Sequence, residues 1–274
     1  MTSLPVLDRD ALAAIAGLCR RGIAASPTLD ELELALFATE QPAIVRGDPE
    51  VGVVATVEGR EGAYVRLLVV DPDARGRGHG RALVRAAEAD ARAAGHGSIT
   101  IGADAPFFLW PGVPSTETPM LSLLEHNHYT RVETNFDMTV DLAAIPDDPG
   151  GHAPAGAADR AEVDGWMTTH WPNWRAEVLR ALDKGNLLIS RDDTAISAFC
   201  AFEVNRAGFL GPVAARPDLI GRGAGRPALV GALHELRRRG RDHIEVTWVG
   251  PVVPYAALGG RVSNFYFVYR RKLS

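Results

Sequence analysis

Two tandem copies of a mixed α/β domain is the fold class this sequence predicts, and three observations carry it. Slid against itself by 145 residues without a gap, the chain aligns Pro72, Asp73, Gly76, Arg77, Gly78, Gly80 and Arg81 with Pro217, Asp218, Gly221, Arg222, Gly223, Gly225 and Arg226. Gly95/Gly240 and Ile99/Ile244 stay in register beyond the helix that follows. A period this long marks a duplicated domain, because solenoid repeats run to about 20–50 residues. The length, 274 residues, suits two cores at roughly 150 residues each. Residues 145–158 (IPDDPGGHAPAGAA) have neither helical nor alternating periodicity, so they read as a linker between domains 1–144 and 159–274.

Copy one opens with helical patterns at 8–21 and 29–38, the first with Leu12, Ile15, Ala16 and Cys19 on one stripe. Strands follow at 43–46, 51–57 and 63–70, then a glycine-rich turn and a helix to about Ala94. A strand at 98–102, an aromatic loop, a helix near 118–126 and a strand at 133–142 complete the copy. Copy two repeats the order: helices at 160–169 and 175–184, strands at 187–190, 195–203 and 208–214, a second glycine turn, a helix to about Arg239, and strands at 243–249 and 263–272. Helices, a strand meander and one strand–turn–helix–strand unit, twice over, make a mixed α/β tandem.

Composition narrows the function. Hydrophobic residues make up 46% and charged residues 23%, which excludes disorder and fibrous repeats. The net charge of −5 gives the whole chain no attraction for nucleic acid or anionic lipid. Cys19 and Cys200 match no metal or disulfide spacing, so reduced thiols are expected and no metal. The apolar stretch 12–19 follows Asp8 and Asp10 where a signal peptide would carry positive charge, and no window of about 18 uncharged apolar residues occurs. No membrane span and a cytoplasmic location are expected; the assembly state is open, with a homodimer as one candidate.

The chemistry-bearing motif is the turn after the third strand of the meander, VVDPDARGRGHGRAL from Val69 to Leu83. Glycines allow successive backbone N–H groups to converge, and the helix start adds partial positive charge, which together cradle a pyrophosphate. No Gly-Lys-Ser/Thr follows, which excludes a Walker loop, and Leu83 breaks the dinucleotide fingerprint. The string Arg75-Gly76-Arg77-Gly78-His79-Gly80, after a strand ending in V-x-P, resembles the R/Q-x-x-G-x-G/A acetyl-CoA loop of the GNAT superfamily of N-acetyltransferases. The resemblance covers both copies. It implies two tandem GNAT-like domains, each a mixed, mostly antiparallel sheet flanked by helices.

It further implies acetyl-CoA as cosubstrate, held by Arg75, Gly76, Arg77, Gly78, His79, Gly80 and Arg81, with the strand residues Leu68, Val69 and Val70 beside its pantetheine arm. Gly221, Gly223 and Gly225 form the second copy of the loop, where Ile220 replaces Arg75 and Pro227 removes an N–H.

Acetyl transfer requires a neutral amine, a thioester and a proton for the leaving thiolate, without a covalent enzyme intermediate. GNAT enzymes often supply that proton from a tyrosine, and Tyr255, in PYAALGG, occupies the matching slot; copy one has Leu124 there. Asp104 is the candidate base acting through water, with Glu203 and Glu245 as others. Trp110, in FFLWPGVP, and Trp171 and Trp174, in WMTTHWPNW, are candidates to wall a substrate pocket. The first aromatic stretch and Asp137-Met138-x-x-Asp141-Leu142 resemble tandem GNAT proteins that acetylate glucosamine or related amino sugars. The expected reaction is acetylation of a small-molecule primary amine. A peptide, protein N-terminus or antibiotic amine is the alternative acceptor, and a non-catalytic acyl-CoA-binding regulatory module is the rival class.

Overall fold

The computed structural model describes residues 4–38, 42–59, 61–193 and 195–273. In chain order its elements are β1 (Val6–Leu7), α1 (Leu12–Gly22), α2 (Leu29–Leu36), β2 (Ile44–Asp48), β3 (Gly52–Gly59), β4 (Gly62–Val70), α3 (His79–Ala93), β5 (Ser98–Ile101), β6 (Val113–Pro114), α4 (Thr118–His126) and β7 (Thr130–Asp141). They continue with β8 (His152–Pro154), α5 (Arg160–His170), α6 (Arg175–Asp183), β9 (Leu187–Arg191), β10 (Ile196–Phe202), β11 (Phe209–Ala215), α7 (Arg226–Arg238), β12 (His243–Val246), α8 (Val253–Ala256) and β13 (Arg261–Lys272). The expected helix and strand order is present in both copies. The sequence reading lacks only the short β1, β6, β8 and α8, which are too brief to show a period.

The division into two units differs from the expected boundaries. Unit 1 comprises residues 1–135 and 265–274, and unit 2 comprises 136–264. The chain therefore changes unit inside β7 and again inside β13, so unit 1 is completed by the second half of β13 and unit 2 by the second half of β7. The stretch 145–158 is not all linker: His152–Pro154 forms β8 and pairs with Leu188–Ser190 of β9.

In unit 1 the sheet runs β1-β2-β3-β4 antiparallel, then β5 parallel to β4, then the second half of β13 antiparallel to β5 (Tyr269 opposite Ile101). One face is covered by α1 and α2, whose Ile15, Leu18, Leu32 and Leu36 pack on Val53, Leu67 and Val69. On the other side Leu83, Val84 and Ala87 of α3 meet Val54, Val65 and Ile99. Helix α2 starts at a capping box in which Thr28 and Glu31 exchange side-chain and backbone hydrogen bonds.

Unit 2 repeats the plan as β8-β9-β10-β11 antiparallel, then β12 parallel to β11 and the second half of β7 antiparallel to β12. Its α6 carries Glu177 inside the fold, accepting a hydrogen bond from Asn205 Nδ2 at 2.9 Å. Burial, opposed by nearby Arg180, pushes this carboxyl up to about 7. The folded state thus binds a proton that the unfolded chain has already released, so stability is greatest at acid pH and is lost as pH rises to about 7. Urea unfolding at pH 5 and pH 8 is expected to differ by an amount on the order of 2–3 kcal/mol from this group, and Glu177→Gln to remove that difference. An unchanged slope in the variant would assign it elsewhere.

Candidate functional site

The site is built where β4 parts from β5. A register shift between Ala55 and Thr56 makes Arg66 an extra residue on β4, a bulge that bends the strand. Pairing with β5 then stops at Val65 opposite Ile101. Beyond the bulge, Asp71 N–H donates to Val51 C=O (2.9 Å), so Asp71 and Val69 turn their backbone groups toward β3. By strand alternation, Leu68 and Val70 turn theirs to the open side, where unit 1 provides no strand among the described residues. Of the three strand residues expected beside the cosubstrate, Leu68 and Val70 face the opening and Val69 does not.

The chain then makes one turn of 3-10 helix over Pro72–Ala74 and enters the loop. Gly76 (φ 76°) and Gly78 (φ 88°) take the left-handed conformation, and a Cβ on either would meet nothing within 4 Å. The first bond of the α3 ladder runs from Ala82 N–H to Gly78 C=O at 3.1 Å. Among the described residues the N–H groups of Gly76, Arg77, Gly78, His79, Gly80 and Arg81 have no partner. Six donors at a helix start, on a surface kept clear by two glycines, suit a pyrophosphate. Gly80 serves packing instead, since a Cβ there would stand 2.9 Å from Leu123 Cδ2. Arg75 braces the loop: its Nη2 donates to Gly22 C=O at 3.1 Å and its Nε approaches Val70 C=O at 3.4 Å. Arg21 fastens the same corner to Asp71 at 2.6 Å, and that pairing holds the Asp71 carboxyl below the usual range.

Copy two keeps the backbone and loses donors. Gly221 and Gly223 have φ 78° and 80°, matching Gly76 and Gly78. Pro227 costs the cradle nothing, because it stands where copy one has Ala82, whose N–H is already spent on Gly78 C=O; the loss lies in the tighter helix entry, where Arg226 N–H donates to Gly223 C=O (3.0 Å) and Arg222 N–H to Leu219 C=O (3.1 Å). Gly225 is not left-handed (φ −77°). The strand edge is also covered. Arg216 N–H donates to Ser197 C=O, which leaves Ala215 facing away from β10, and the Trp171 indole N–H caps its C=O at 3.1 Å. Trp171 is stacked on Trp174, centroids 5.0 Å apart and 12° from parallel.

The other expected residues divide between the two units. Asp104 and Trp110 lie in unit 1, Tyr255, Trp171 and Trp174 in unit 2. Asp104 is buried and forms an ion pair with Arg66, whose guanidinium also donates to Ala35 C=O and lies 5.3 Å from the Phe107 ring. Burial pushes the Asp104 carboxyl up, against the Arg66 charge. Its carboxylate is thus committed to a counter-ion, which sequence reasoning missed because the partner is 38 residues away. The aromatic stretch is mostly core: Phe107, Phe108 and Leu109 are buried, and Trp110 packs on the α1–α2 cluster.

Tyr255, on α8, packs in the unit 2 core with Met138, Cys200 and Leu258. Its hydroxyl has no hydrogen bond among the described residues, and burial raises its pKa. Both cysteines are buried with pKa values raised by burial, which makes them poor nucleophiles. Among the described residues no group of three or more His, Cys, Asp or Glu could hold a metal, and no helix is long and apolar enough to cross a membrane.

Residues 36–109, which span β2 to β5 with the whole cradle, match the acetyltransferase (GNAT) domain family. Over these residues the chain is similar to the GNAT acetyltransferase domain. Among curated protein sequences none matches. Solved structures share the tandem GNAT fold over almost the full length. One is a GCN5-related glucosamine N-acetyltransferase region of a fungal multi-domain GH3 β-N-acetylglucosaminidase, with TM-score 0.79 and 20% identity over 98% of this chain. This chain spans only 38% of that longer protein. A GCN5-related N-acetyltransferase from Sphaerobacter thermophilus gives TM-score 0.70 at 18% identity, covering 98% of this chain and 94% of its own. A tandem GNAT protein from the clavulanic acid biosynthesis pathway gives 0.69 at 15%, covering 98% of both. At these identities the likeness is one of fold. The GNAT family match supports acetyl-CoA-dependent acetyl transfer in general, and the unpartnered N–H row fits the pyrophosphate of that cosubstrate.

Proposed function

We propose that the chain acetylates the primary amine of a small molecule, with an amino sugar as the leading acceptor, and that unit 1 alone holds the acetyl-CoA. The observation that carries this reading is the contrast between the two loops: six unpartnered N–H donors beside an open strand edge in copy one, against a loop in copy two with two of the six equivalent donors, those of Arg222 and Arg226, consumed and its strand edge capped. The amino sugar is supported by the motifs around Trp110 and Asp137 and by the glucosamine N-acetyltransferase region that shares this fold.

In the reaction a neutral amine attacks the thioester carbonyl, a C–N bond forms, the C–S bond breaks, and the amine proton leaves to water. The thiolate takes up a proton readily at neutral pH, because a thiol of pKa about 8.5 is only about 1.5 units above it. The step therefore makes a weak demand for a side-chain acid. This agrees with an Asp104 tied to Arg66 and a Tyr255 packed in unit 2.

The test combines stoichiometry with turnover. Calorimetry is expected to count one acetyl-CoA per chain, and free thiol release to be fastest with amino sugars in a panel that includes peptide N-termini and antibiotic amines. Two bound molecules would restore copy two as a site; binding without turnover across the panel would favour a regulatory acyl-CoA module. Tyr255→Phe is expected to keep kcat within about threefold. A loss on the order of 100-fold would place the acid, and with it the chemistry, on α8.

A further inference from the structure

The two copies end their equivalent helices differently. Both α3 and α7 stop at a left-handed glycine, Gly95 (φ 82°) and Gly240 (φ 84°). Around it copy one reads Arg92-Ala93-Ala94-Gly95-His96, and copy two, at the same offset of 145, reads Arg237-Arg238-Arg239-Gly240-Arg241. A helix C-terminus favours cations, but one arginine satisfies that preference in copy one, so the dipole does not account for three more in copy two. The same exchange runs through the neighbouring elements of unit 2. Arg180 on α6 stands at Ala35 of copy one, and Arg206, in the turn from β10 to β11, stands at Glu61.

Hydrogen bonds gather these cations on one corner of unit 2. Arg239 donates through Nη1 to Asn186 Oδ1 (2.7 Å) just past α6, and its guanidinium lies 5.0 Å from the Phe202 ring. Arg241 donates to Glu203 Oε1 (2.8 Å), Lys184 to Val204 C=O (2.9 Å) and Arg180 to Asn205 Oδ1 (2.7 Å), all at the turn after β10. Glu235 holds Arg238 and Arg239, Glu203 holds Arg241, and Arg237 meets Leu142 C=O and the His234 ring, so the four guanidiniums share two carboxylates. Asp183 is paired with Arg160. Even with Asp242 and the buried Glu177 counted, the cations of the corner outnumber its carboxylates, on a chain whose net charge is −5. Lys184 and all four arginines from 237 to 241 are exposed. The corner lies at the far end of α7 from the glycine loop of copy two, about 20 Å away at 1.5 Å per residue.

We propose that this corner of unit 2 is a docking surface for an acidic polypeptide segment. Guanidiniums already braced by carbonyl and amide oxygens lose little further freedom on meeting a carboxylate, the partner that Glu203 and Glu235 already supply in part. A long polyanion fits less well, because the net charge of −5 repels it wherever it overhangs the corner. The exposed large apolar residues of unit 2, Ile220, Val252, Val253 and Val262, belong to other elements, which leaves a membrane no anchor here. The test is fluorescence anisotropy of a labelled oligoglutamate with the full chain at about 0.15 M salt, where the screening length is about 8 Å, beside a single-stranded RNA and phosphatidylglycerol vesicles. The wild type is expected to bind oligoglutamate, and to bind it more tightly than the RNA or the vesicles. The triple variant Arg238→Ala, Arg239→Ala, Arg241→His installs the residues with which copy one ends the same helix, and should weaken binding on the order of tenfold or more. Arg237→Gln with Arg238→Gln leaves the bonds to Asn186 and Glu203 in place and should weaken it less; if thermal melting shows the triple variant unfolded, this double variant decides. No binding by the wild type, undiminished binding by a folded variant, or tighter binding of RNA or vesicles would overturn the proposal.

Discussion

Gly78→Asp is expected to weaken acetyl-CoA binding on the order of 10³-fold more than Gly78→Asn. The two side chains are nearly the same size, and both tolerate the left-handed backbone that Gly78 adopts at φ 88° better than most residues. Neither meets the rest of the chain, because the position of a Cβ is open to 4 Å. The difference between them is a negative charge inside an anion cradle, worth about 4 kcal/mol at roughly 4 Å and an effective dielectric of about 20. Unfolding midpoints of the two variants should agree, since the strain is common to both. The same pair of substitutions at Gly223, where φ is 80° and space is also open, should leave acetyl-CoA affinity unchanged. If Gly223→Asp were the damaging variant, the cosubstrate would belong to copy two.

The second large effect concerns Arg66. Replacing it with Met is expected to destabilise the protein by about 3–5 kcal/mol, because it leaves the Asp104 carboxylate buried without its counter-ion and Ala35 C=O without a donor. The double variant Arg66→Met with Asp104→Leu should recover a large part of that loss, since no charge is then stranded. Chemical denaturation of the single and double variants measures both numbers. A single variant within about 1 kcal/mol of wild type, or a double variant worse than the single, would show that the pair is not the clamp holding α2 and the Phe107 loop to the bend in β4.

Much of the fold was legible because duplication supplies its own control. A glycine kept at 95 and 240 fixes where the intervening helix ends in both copies, and the strand–loop–helix order around Gly76 and Gly221 carries the cradle. Pro227 reads in the sequence as a missing donor, yet the N–H it replaces, that of Ala82 in copy one, belongs to the helix ladder and not to the cradle. The loss of the Arg222 and Arg226 donors could not be read there, because it depends on how tightly the chain turns after Leu219. The Trp171 cap and the Arg66 clamp were hidden for a related reason: each joins residues distant in sequence, and periodicity reports which face of an element is buried without naming what it meets.

The strand exchange was invisible on the same ground. β7 and β13 share one pattern, five exposed residues followed by a buried half, and either would satisfy the edge of β5 or of β12.

That exchange governs the order in which the protein can be made. Residues that close the sheet of unit 1 lie at 265–272, beyond everything in unit 2, so a nascent chain that has finished β7 still exposes an unpaired β5 edge. The cradle at Gly76–Gly80 sits in a unit that has to wait for more than a hundred further residues before its last strand exists. Closure of the sheet beneath the loop is thereby deferred until β13 has been made, and a ribosome that stops before β13 releases a chain with the loop already made and that sheet unfinished.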